Sequence, residues 1–438
     1  MIIPKTITER VSPALLGWIR LARARTGKDK EWTNGNRPRL SSIWPLNAIK
    51  IPPTVRRLYH APVPLGIVLC IIFFILLTTG TFETSVDTRS KFDSQSLLAT
   101  PPSSYADIFH DYRQSQTCHL SSHELYLPTP NQPTCASKGA LLSAMSSGGR
   151  LGYDAPYQSR GCNMPMLTTP QICDTLSRFS QVHIVGDSLM RDMTSALFPY
   201  LRKDLIDGPY ADYAFGHGPE EPDCTCSSIF EERRHECRFH VLISTQDIYE
   251  RAPETMVCPQ TETAEIHFHF LTSHPVPQEG LDDFKASLAP HGSSKPRKPI
   301  AFVLGQVLWN NLEVPLTQAW VDEIDTAIFE ALPWLAQGTL LFPRLLITPN
   351  AAQWNKPDAF ILTQGNVALM RFEKAIEKWT ADTRQSYGAR GVDCLGTYNM
   401  SVQTTSPDGI HSGWRVNLLK AMMVYNWLNA IDTSGFRE

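Results

Sequence analysis

An uncharged apolar run constrains this 438-residue chain more than any other feature of its sequence. No charged residue lies between Ala61 and Phe82, and residues 65–77 are almost entirely Leu, Ile, Val and Phe. A helix of about 20 residues, rising ~1.5 Å per residue, spans the ~30 Å hydrocarbon core of a bilayer. About 60 residues precede the run, too many for a cleaved signal peptide. The run therefore predicts one transmembrane helix over 61–82, with a buried core helix as the alternative.

The charges around this run indicate which way it crosses the membrane. Lys and Arg far outnumber Asp and Glu before residue 60, Arg56 and Arg57 adjoin the start of the run, and Glu83 follows its end. The positive-inside rule then places the N-terminus in the cytosol and everything after Phe82 in the lumen. A mitochondrial targeting segment is the alternative explanation of the Arg-rich start. The net charge of -3 gives no reason to expect a nucleic acid as partner.

Composition divides the chain into four regions. Residues 1–60 are basic and polar, and predict a disordered cytosolic tail before the transmembrane helix over 61–82. Residues 83–115 are rich in Ser, Thr and Pro and predict a luminal stem. Residues 116–438 have the apolar content of a folded domain. This arrangement predicts a type II membrane protein of the secretory pathway, and the Golgi is the expected compartment.

The cysteines and a sequon fit the luminal side. Only Cys70 of the ten cysteines lies in the apolar run, and all the others follow it. An oxidising lumen favours disulfides among those that follow, although the sequence leaves the pairing open and one cysteine is left over. The sequon Asn399-Met400-Ser401 predicts a glycan on Asn399.

Strand-like and helix-like segments alternate through the second half of the chain. The apolar segment 182–185 predicts a strand, and 265–270 alternates between apolar and polar side chains, with His267 and His269 on a face expected to be solvated. Strands separated by helices predict a largely parallel sheet covered on both faces, which is a three-layer α/β domain. The other predicted strands are 239–243, 300–304 and 340–348, and the predicted helices are 188–201, 317–332, 366–384 and 414–431.

The tripeptide Gly186-Asp187-Ser188 lies where the first strong strand ends and a helix begins. Sites in open α/β sheets form outside the carboxyl ends of the strands. A serine placed there presents its hydroxyl to the cleft, and the free N–H groups at the start of the helix are suited to hold an oxyanion. In the alternative interpretation Ser188 only caps the helix and Asp187 supports the turn.

The second motif, Asp408-Gly409-Ile410-His411, precedes the last predicted helix. A serine hydroxyl is a weak nucleophile until a base takes its proton, and histidine titrates near neutral pH. Asp408 can fold back across the glycine turn to fix the tautomer of His411. An Asp helix cap with a surface histidine is the alternative. Together, the two motifs predict Ser188 as nucleophile, His411 as base and Asp408 as its orienting acid.

These two motifs carry a family resemblance. Val185-Gly186-Asp187-Ser188-Leu189-Met190-Arg191 and Asp408-Gly409-Ile410-His411 resemble the two end blocks of SGNH (GDSL-type) hydrolases. More narrowly they resemble the PC-esterase branch, which includes plant trichome-birefringence-like polysaccharide O-acetyltransferases and fungal capsule O-acetylation proteins; Arg160-Gly161-Cys162 and Cys173 also resemble that branch. The resemblance implies a flavodoxin-like three-layer α/β/α fold for the catalytic domain.

The resemblance also implies oxyanion donors from two further loops. Gly305 and Asn310, after the strand predicted at 300–304, resemble the Gly and Asn of that family, although its usual Gly-x-Asn-Asp spacing is absent. Gly216-His217-Gly218 is the other candidate for the glycine block, with a plain loop as the alternative. Arg191 matches an arginine of the plant branch and is assigned, with Gly186 and Asp187, a supporting role, with an ordinary surface arginine as the alternative.

The sequence thus predicts a luminal serine enzyme that transfers or hydrolyses acyl esters of a glycan, with an acetyl group as the expected acyl group. The partners implied are a glycan or polysaccharide acceptor and an acyl donor. A folded domain that binds glycans without turnover is the alternative. Soft ligands for zinc occur at Cys224, Cys226, His235, Cys237 and His240, but an oxidising lumen favours disulfides, and no metal or cofactor is expected.

Overall fold

A five-stranded sheet, parallel throughout, forms the centre of the computed structural model. Its strands are β3 (Gln181–Gly186), β4 (Glu265–Phe270), β5 (Ile300–Gly305), β6 (Arg344–Ile347) and β7 (Asp393–Leu395), after a short antiparallel pair formed by β1 (Gly149–Arg150) and β2 (Tyr157–Gln158). The spatial order is β4-β3-β5-β6-β7. Counted along the chain, the five strands therefore stand in the order 2-1-3-4-5, and the succession of strands reverses between β3 and β5.

The structure describes only part of the chain, namely residues 106–113, 115–210, 226, 241–260, 263–292, 294–305, 308–337, 341–387 and 391–437. The predicted tail, the predicted transmembrane helix and residues 83–105 and 114 of the predicted stem lie outside these ranges. Among the helices within them, none combines the length and the hydropathy that crossing a membrane requires.

Helices connect and cover the strands. In chain order they are α1 (Ser115–Cys118), α2 (Ser122–Leu125), α3 (Lys138–Ser147), α4 (Thr169–Ser177), α5 (Ser188–Ser195), α6 (Phe198–Arg202), α7 (Thr245–Arg251), α8 (Gln278–Leu288), α9 (Val314–Ala331), α10 (Asp358–Gln364), α11 (Asn366–Tyr387), α12 (Tyr398–Ser401) and α13 (Trp414–Asn429). Single 3₁₀ turns occupy Pro253–Thr255, Ala289–His291, Pro333–Gln337 and Ser434–Arg437.

Two hydrophobic cores lie on the two faces of the sheet. Alternate residues of a strand point to opposite faces, so Ile184 enters one core with α4, α6 and α13, while Val185 enters the other with α8, α9 and α11. All residues of β3 and β5 are buried, which explains why both strands are nearly continuous apolar runs. The prediction of an α/β domain with a parallel sheet covered on both faces is confirmed.

Three disulfides join segments distant in sequence: Cys118–Cys226, Cys135–Cys162 and Cys173–Cys258. Cys394 is a free thiol buried in β7, while Cys224 and Cys237 lie outside the described residues. Disulfides persist in oxidising compartments, and these pairs indicate a secretory-type environment. The pairing also excludes Cys226 from the zinc ligands that the sequence offered.

Some element boundaries differ from the predicted ones. The strand at 265–270 is as predicted, whereas the helix predicted over 188–201 is two helices, because α5 ends at Ser195 and Pro199 lies in the first turn of α6. Within the predicted strand 239–243, Val241 makes only an isolated bridge to Tyr210. Neither β7 nor α8 was predicted. For β7 the reason is its length, because a three-residue strand leaves too short a pattern to detect.

Candidate active site

The turn between β3 and α5 presents Ser188 at the edge of the sheet where the strand succession reverses. Gly186 is paired with Gly305 across β3 and β5, and a Cβ on Gly186 would lie 1.9 Å from the Gly305 carbonyl oxygen. Only glycine allows this approach, which also lets the Asp187 N–H donate to the Gly305 carbonyl at 3.2 Å. Asp187 caps α5 by accepting the Leu189 N–H at 3.0 Å. The cap is therefore Asp187, and the Ser188 hydroxyl is left for another partner.

A tight turn before α13 holds His411. The Asp408 Oδ1 atom accepts the backbone N–H groups of Ile410 and His411, at 3.0 and 2.8 Å, so the carboxylate closes the turn around Gly409. Gly409 has a φ of +78°, and a Cβ there would lie 2.2 Å from the backbone nitrogen of Lys356. This position therefore requires glycine for both its conformation and its close packing.

The two segments meet in one hydrogen-bonded series. The His411 Nε2 atom lies 2.7 Å from the Ser188 Oγ atom, and its Nδ1 atom lies 2.6 Å from the Asp408 Oδ2 atom. Ser188 and His411 are 223 positions apart in the chain. A hydroxyl, an imidazole and a carboxylate in this order can move the serine proton to the ring while the carboxylate stabilises the resulting cation.

The electrostatics of the site keep Asp408 ionised. Burial alone would raise the pKa of Asp408, but the hydrogen bond and charge of His411, with the two backbone N–H donors, hold this pKa well below its ordinary value. Burial raises the pKa of Asp187 to about 6, against the Leu189 N–H and the charges of His411 and Lys420. Burial likewise lowers the pKa of Lys420, in α13, to about 8, and the carboxylates of Asp187 and Asp192 oppose that shift.

The side-chain amide of Asn310 is buried, and only its oxygen is hydrogen-bonded within the described residues. Its Oδ1 atom accepts the backbone N–H of His274 at 3.3 Å, while its Nδ2 atom is buried and has no hydrogen-bond partner within the described part of the chain. Glu323 of α9 fixes the His274 segment, because its Oε2 atom accepts from Val276 N at 3.0 Å and lies 3.0 Å from His274 Nδ1. The amide is thus oriented with a donor to spare, as an oxyanion donor must be.

The other predicted residues take different places. Gly305 uses its carbonyl to accept the Asp187 N–H, and Met190 covers the position of its missing Cβ, which makes it part of the close β3–β5 approach. Arg191 pairs with Asp192 at 2.8 Å. Asn399 is half-buried in α12, where its Nδ2 atom donates to the Ser146 carbonyl. Gly216-His217-Gly218 lies outside the described residues.

Several neighbours of the site were not identified from the sequence. Glu323 lies in a helical pattern that reads as an ordinary amphipathic face, and Lys420 and Lys356 carry charges that would be expected in solvent. Both lysines are buried, and burial lowers the pKa of Lys356 to about 8. One signal was present for Lys420: it falls within the almost continuously apolar stretch of α13, where a charge requires a buried partner.

The histidines of β3 and β4 form a stack beside the sheet. The His183 ring is buried, lies 3.0 Å from His269 by its Nδ1 atom, and stacks with the His267 and His269 rings; Phe284 of α8 packs on His183 and His269 edge-on. The strand face expected to be solvated is thus partly covered. Among the residues that the structure describes, no group of three or more His, Cys, Asp or Glu is arranged to hold a metal ion.

We compared the chain with models of protein families, with curated proteins and with solved structures, and none of them matches it. The site combines a serine hydroxyl, an imidazole and a carboxylate in series at the switch point of a parallel sheet, and the segment after β5 carries a buried amide with a spare N–H donor.

Proposed function

We propose that this chain is a serine-dependent acyl-ester enzyme that works through an acyl-serine intermediate. The observation that carries the proposal is the hydrogen-bonded series Ser188–His411–Asp408, with contacts of 2.7 and 2.6 Å. A histidine so placed raises the nucleophilicity of the serine, and an ionised carboxylate on its other nitrogen fixes the tautomer that can accept a proton.

In the proposed reaction the Ser188 Oγ atom attacks the carbonyl carbon of an ester, and His411 Nε2 takes the hydroxyl proton. The negative charge on the carbonyl oxygen is stabilised by the Asn310 Nδ2 donor and by the backbone N–H of Ser188. When the ester C–O bond breaks, His411 returns the proton to the departing alcohol. A second hydroxyl, from water or from a sugar, then gives its proton to His411 and attacks the acyl carbon. His411 passes this proton to the Ser188 Oγ atom as the acyl-serine C–O bond breaks.

The substrate we propose is an O-acetylated glycan or a glycan acceptor. The motif resemblance to SGNH hydrolases of the PC-esterase branch supports this proposal, and so does the strand order 2-1-3-4-5, which is the flavodoxin-like order with its site at the switch point. The disulfides favour a secretory compartment, and a type II anchor in the Golgi agrees with the apolar run at 61–82. A single span leaves no route for acyl groups across the bilayer, so a transferase would use a luminal donor.

The decisive experiment labels the full-length protein with a serine-reactive phosphonate and measures hydrolysis of a generic acetyl ester. The wild type and the Ser147→Ala control, which alters an exposed serine of α3, are expected to be labelled and active. Ser188→Ala should lose the label and most of the activity while still folding. Equal labelling of Ser188→Ala would refute the proposal, and glycan binding without labelling of the wild type would point to a binding module instead.

The same assay separates the two possible reactions of the acyl-enzyme. Acetyl-ester cleavage is measured with and without a glycan acceptor, and the acetyl group is followed into water or into the glycan. Transfer to the acceptor identifies a transferase, whereas release of acetate at an unchanged rate identifies an esterase. The two outcomes depend on how well the site excludes water, since both use the same catalytic residues.

A further inference from the structure

A closed excursion of the chain connects β6 to α11, at residues 353–365. The residues that flank the two ends of this segment are hydrogen-bonded to each other. The Asn366 side chain accepts the Ala352 N–H at 2.8 Å and donates to the Ala352 carbonyl at 2.9 Å, so one side-chain amide binds both backbone polar groups of Ala352. The excursion, which contains α10, is therefore a defined structural unit.

The excursion contacts both loops of the active site. At its start, the Gln353 N–H donates to the carbonyl of Gly409 at 3.1 Å, in the turn that holds His411. At its end, the Gln364 Nε2 atom donates to the carbonyl of Leu308 at 2.9 Å, in the loop that carries Asn310. It therefore runs along the edge of the site from one catalytic loop to the other.

The outer side of this excursion is apolar. Trp354 is 86% exposed and Leu362 is 92% exposed, and Phe360 and Ile361 between them are exposed as well. Val367 and Met370 of α11 continue the exposed surface. Six of the large apolar side chains that the structure leaves exposed thus fall within one stretch of 17 residues, 354–370. Such clustering is rare on a surface that faces only water.

The charges of the stretch fit hydrocarbon better than sugar or a polar partner. No charged residue occurs from 359 to 370, and the one cation between 353 and 370, Lys356, is buried against Gly409. Asp358, at the start of α10, is the one exposed charge of the stretch, and Thr363 and Asn366 are its other exposed polar side chains. The remaining exposed side chains are aliphatic or aromatic, which is the composition of segments that lie in the interface of a bilayer. A glycan surface would need more polar donors and acceptors around its aromatic side chains.

We propose that the outer side of residues 353–370 inserts into the surface of a lipid bilayer and holds the active site against the membrane. The chain has the reach for this contact: residues 83–105, between the apolar run and the first described residues, extend at most about 80 Å. Since no exposed cation contributes, the contact does not require anionic lipid. The proposal concerns where the domain sits and is independent of the acyl chemistry proposed above.

The test places a fluorescent probe on the full-length protein in vesicles of phosphatidylcholine. Leu362→Cys and Leu151→Cys are each labelled with an environment-sensitive dye, and the unsubstituted protein supplies the background from native cysteines. Leu151 is a matched control, since it is 86% exposed and lies far from the excursion in sequence. We expect the dye at 362 to shift to the blue and to be quenched by nitroxides on the lipid acyl chains, and the dye at 151 to do neither.

Two results would overturn the proposal: equal, weak quenching at both positions, or a blue shift at 362 that appears only when a soluble glycan or protein partner is added. Thermal unfolding of both labelled variants checks that they fold. Repeating the measurement in Ser188→Ala separates the two proposals, because lipid contact is expected to be unchanged when the acyl chemistry is lost.

Discussion

The two ring nitrogens of His411 face different partners, and this asymmetry defines the chemistry at the residue scale. Nδ1 lies 2.6 Å from the Asp408 carboxylate, which holds the proton on that nitrogen and leaves Nε2 free to accept from the Ser188 hydroxyl at 2.7 Å. Asp408 does this while its other oxygen closes the turn, so one carboxylate fixes both the position and the tautomer of the base.

Asp408→Asn should separate these two functions. The amide oxygen can still accept the backbone N–H groups of the turn, but an amide N–H facing Nδ1 favours the wrong tautomer of His411. We expect ester hydrolysis to fall by about 10³–10⁴-fold with little change in thermal stability. Asp174→Asn, at an exposed aspartate of α4, is the matched control and should keep its activity. An active Asp408→Asn enzyme would remove Asp408 from the mechanism.

Glu323 acts on the site through His274 and Asn310, so it is a positioning residue. Glu323→Gln keeps the side-chain shape and replaces two hydrogen bonds to a carboxylate with weaker ones. We expect kcat to fall by about 10-fold with an unchanged KM, a smaller loss than the 10²–10³-fold expected for Asn310→Ala. Glu330→Gln, an exposed glutamate on the same helix, is the control. A change in KM alone would assign Glu323 to substrate binding instead.

At the scale of elements, the site depends on how closely β3 and β5 approach at their carboxyl ends. Gly186 and Gly305 are paired there, and Met190 of α5 fills the space that a Cβ would occupy. The strand ends and the start of α5 are thus packed with no room for a methyl group. The close approach, more than the turn conformation, explains why glycine occurs at both positions.

Gly186→Ala should therefore destabilise the fold. Its Cβ would meet the Gly305 carbonyl oxygen at 1.9 Å, and that atom belongs to the backbone, so strands must move. We expect the free energy of unfolding in urea to fall by about 1–3 kcal/mol. Gly139→Ala is the control, because nothing lies within 4 Å of its Cβ position in α3 and alanine favours a helix. Equal stability of the two variants would show that the strand ends yield without cost.

At the scale of the whole molecule, the two cores contain buried ionisable groups that tie stability to pH. Burial and the neighbouring histidines hold the pKa of His183 well below its ordinary value, and burial lowers the pKa of His269 to about 3. Both rings are therefore neutral in the folded protein at neutral pH. Asp187 and Glu373 act in the opposite direction, because burial raises their pKa values to about 6 and about 7.

Acidification should expose the contribution of the histidines. Their folded pKa values lie below the ordinary 6.5, so only the unfolded chain gains these protons as the pH falls. Their contribution to the free energy of unfolding should drop by about 1 kcal/mol per histidine between pH 7.5 and 5.5, while Asp187 and Glu373 oppose this change. His269→Phe should lose part of this dependence. His110→Gln, which alters an exposed histidine, should keep it, and the carboxylates are common to all three proteins. Identical pH profiles would contradict the assignment.

The sequence by itself determined the features that depend on neighbours in the chain. β3 and β5 are buried on both faces and are therefore mostly apolar, and helical segments separate the strands along the chain, which together predicted a parallel α/β sheet. The turns that carry Ser188 and Asp408 are closed by their own residues, so their motifs could be identified without knowing what faces them. The function assigned to these motifs remains a proposal.

Only the tertiary structure decided what depends on segments far apart. The amide of Asn310 is oriented by the backbone of His274, which is 36 positions away in the chain. The His274 segment is in turn held by Glu323, which is 49 positions from His274. The disulfide pairing, the histidine stack and the excursion at 353–365 arise in the same way. Each depends on side chains that meet across the fold, and a local pattern of apolar and polar residues contains no information about such contacts.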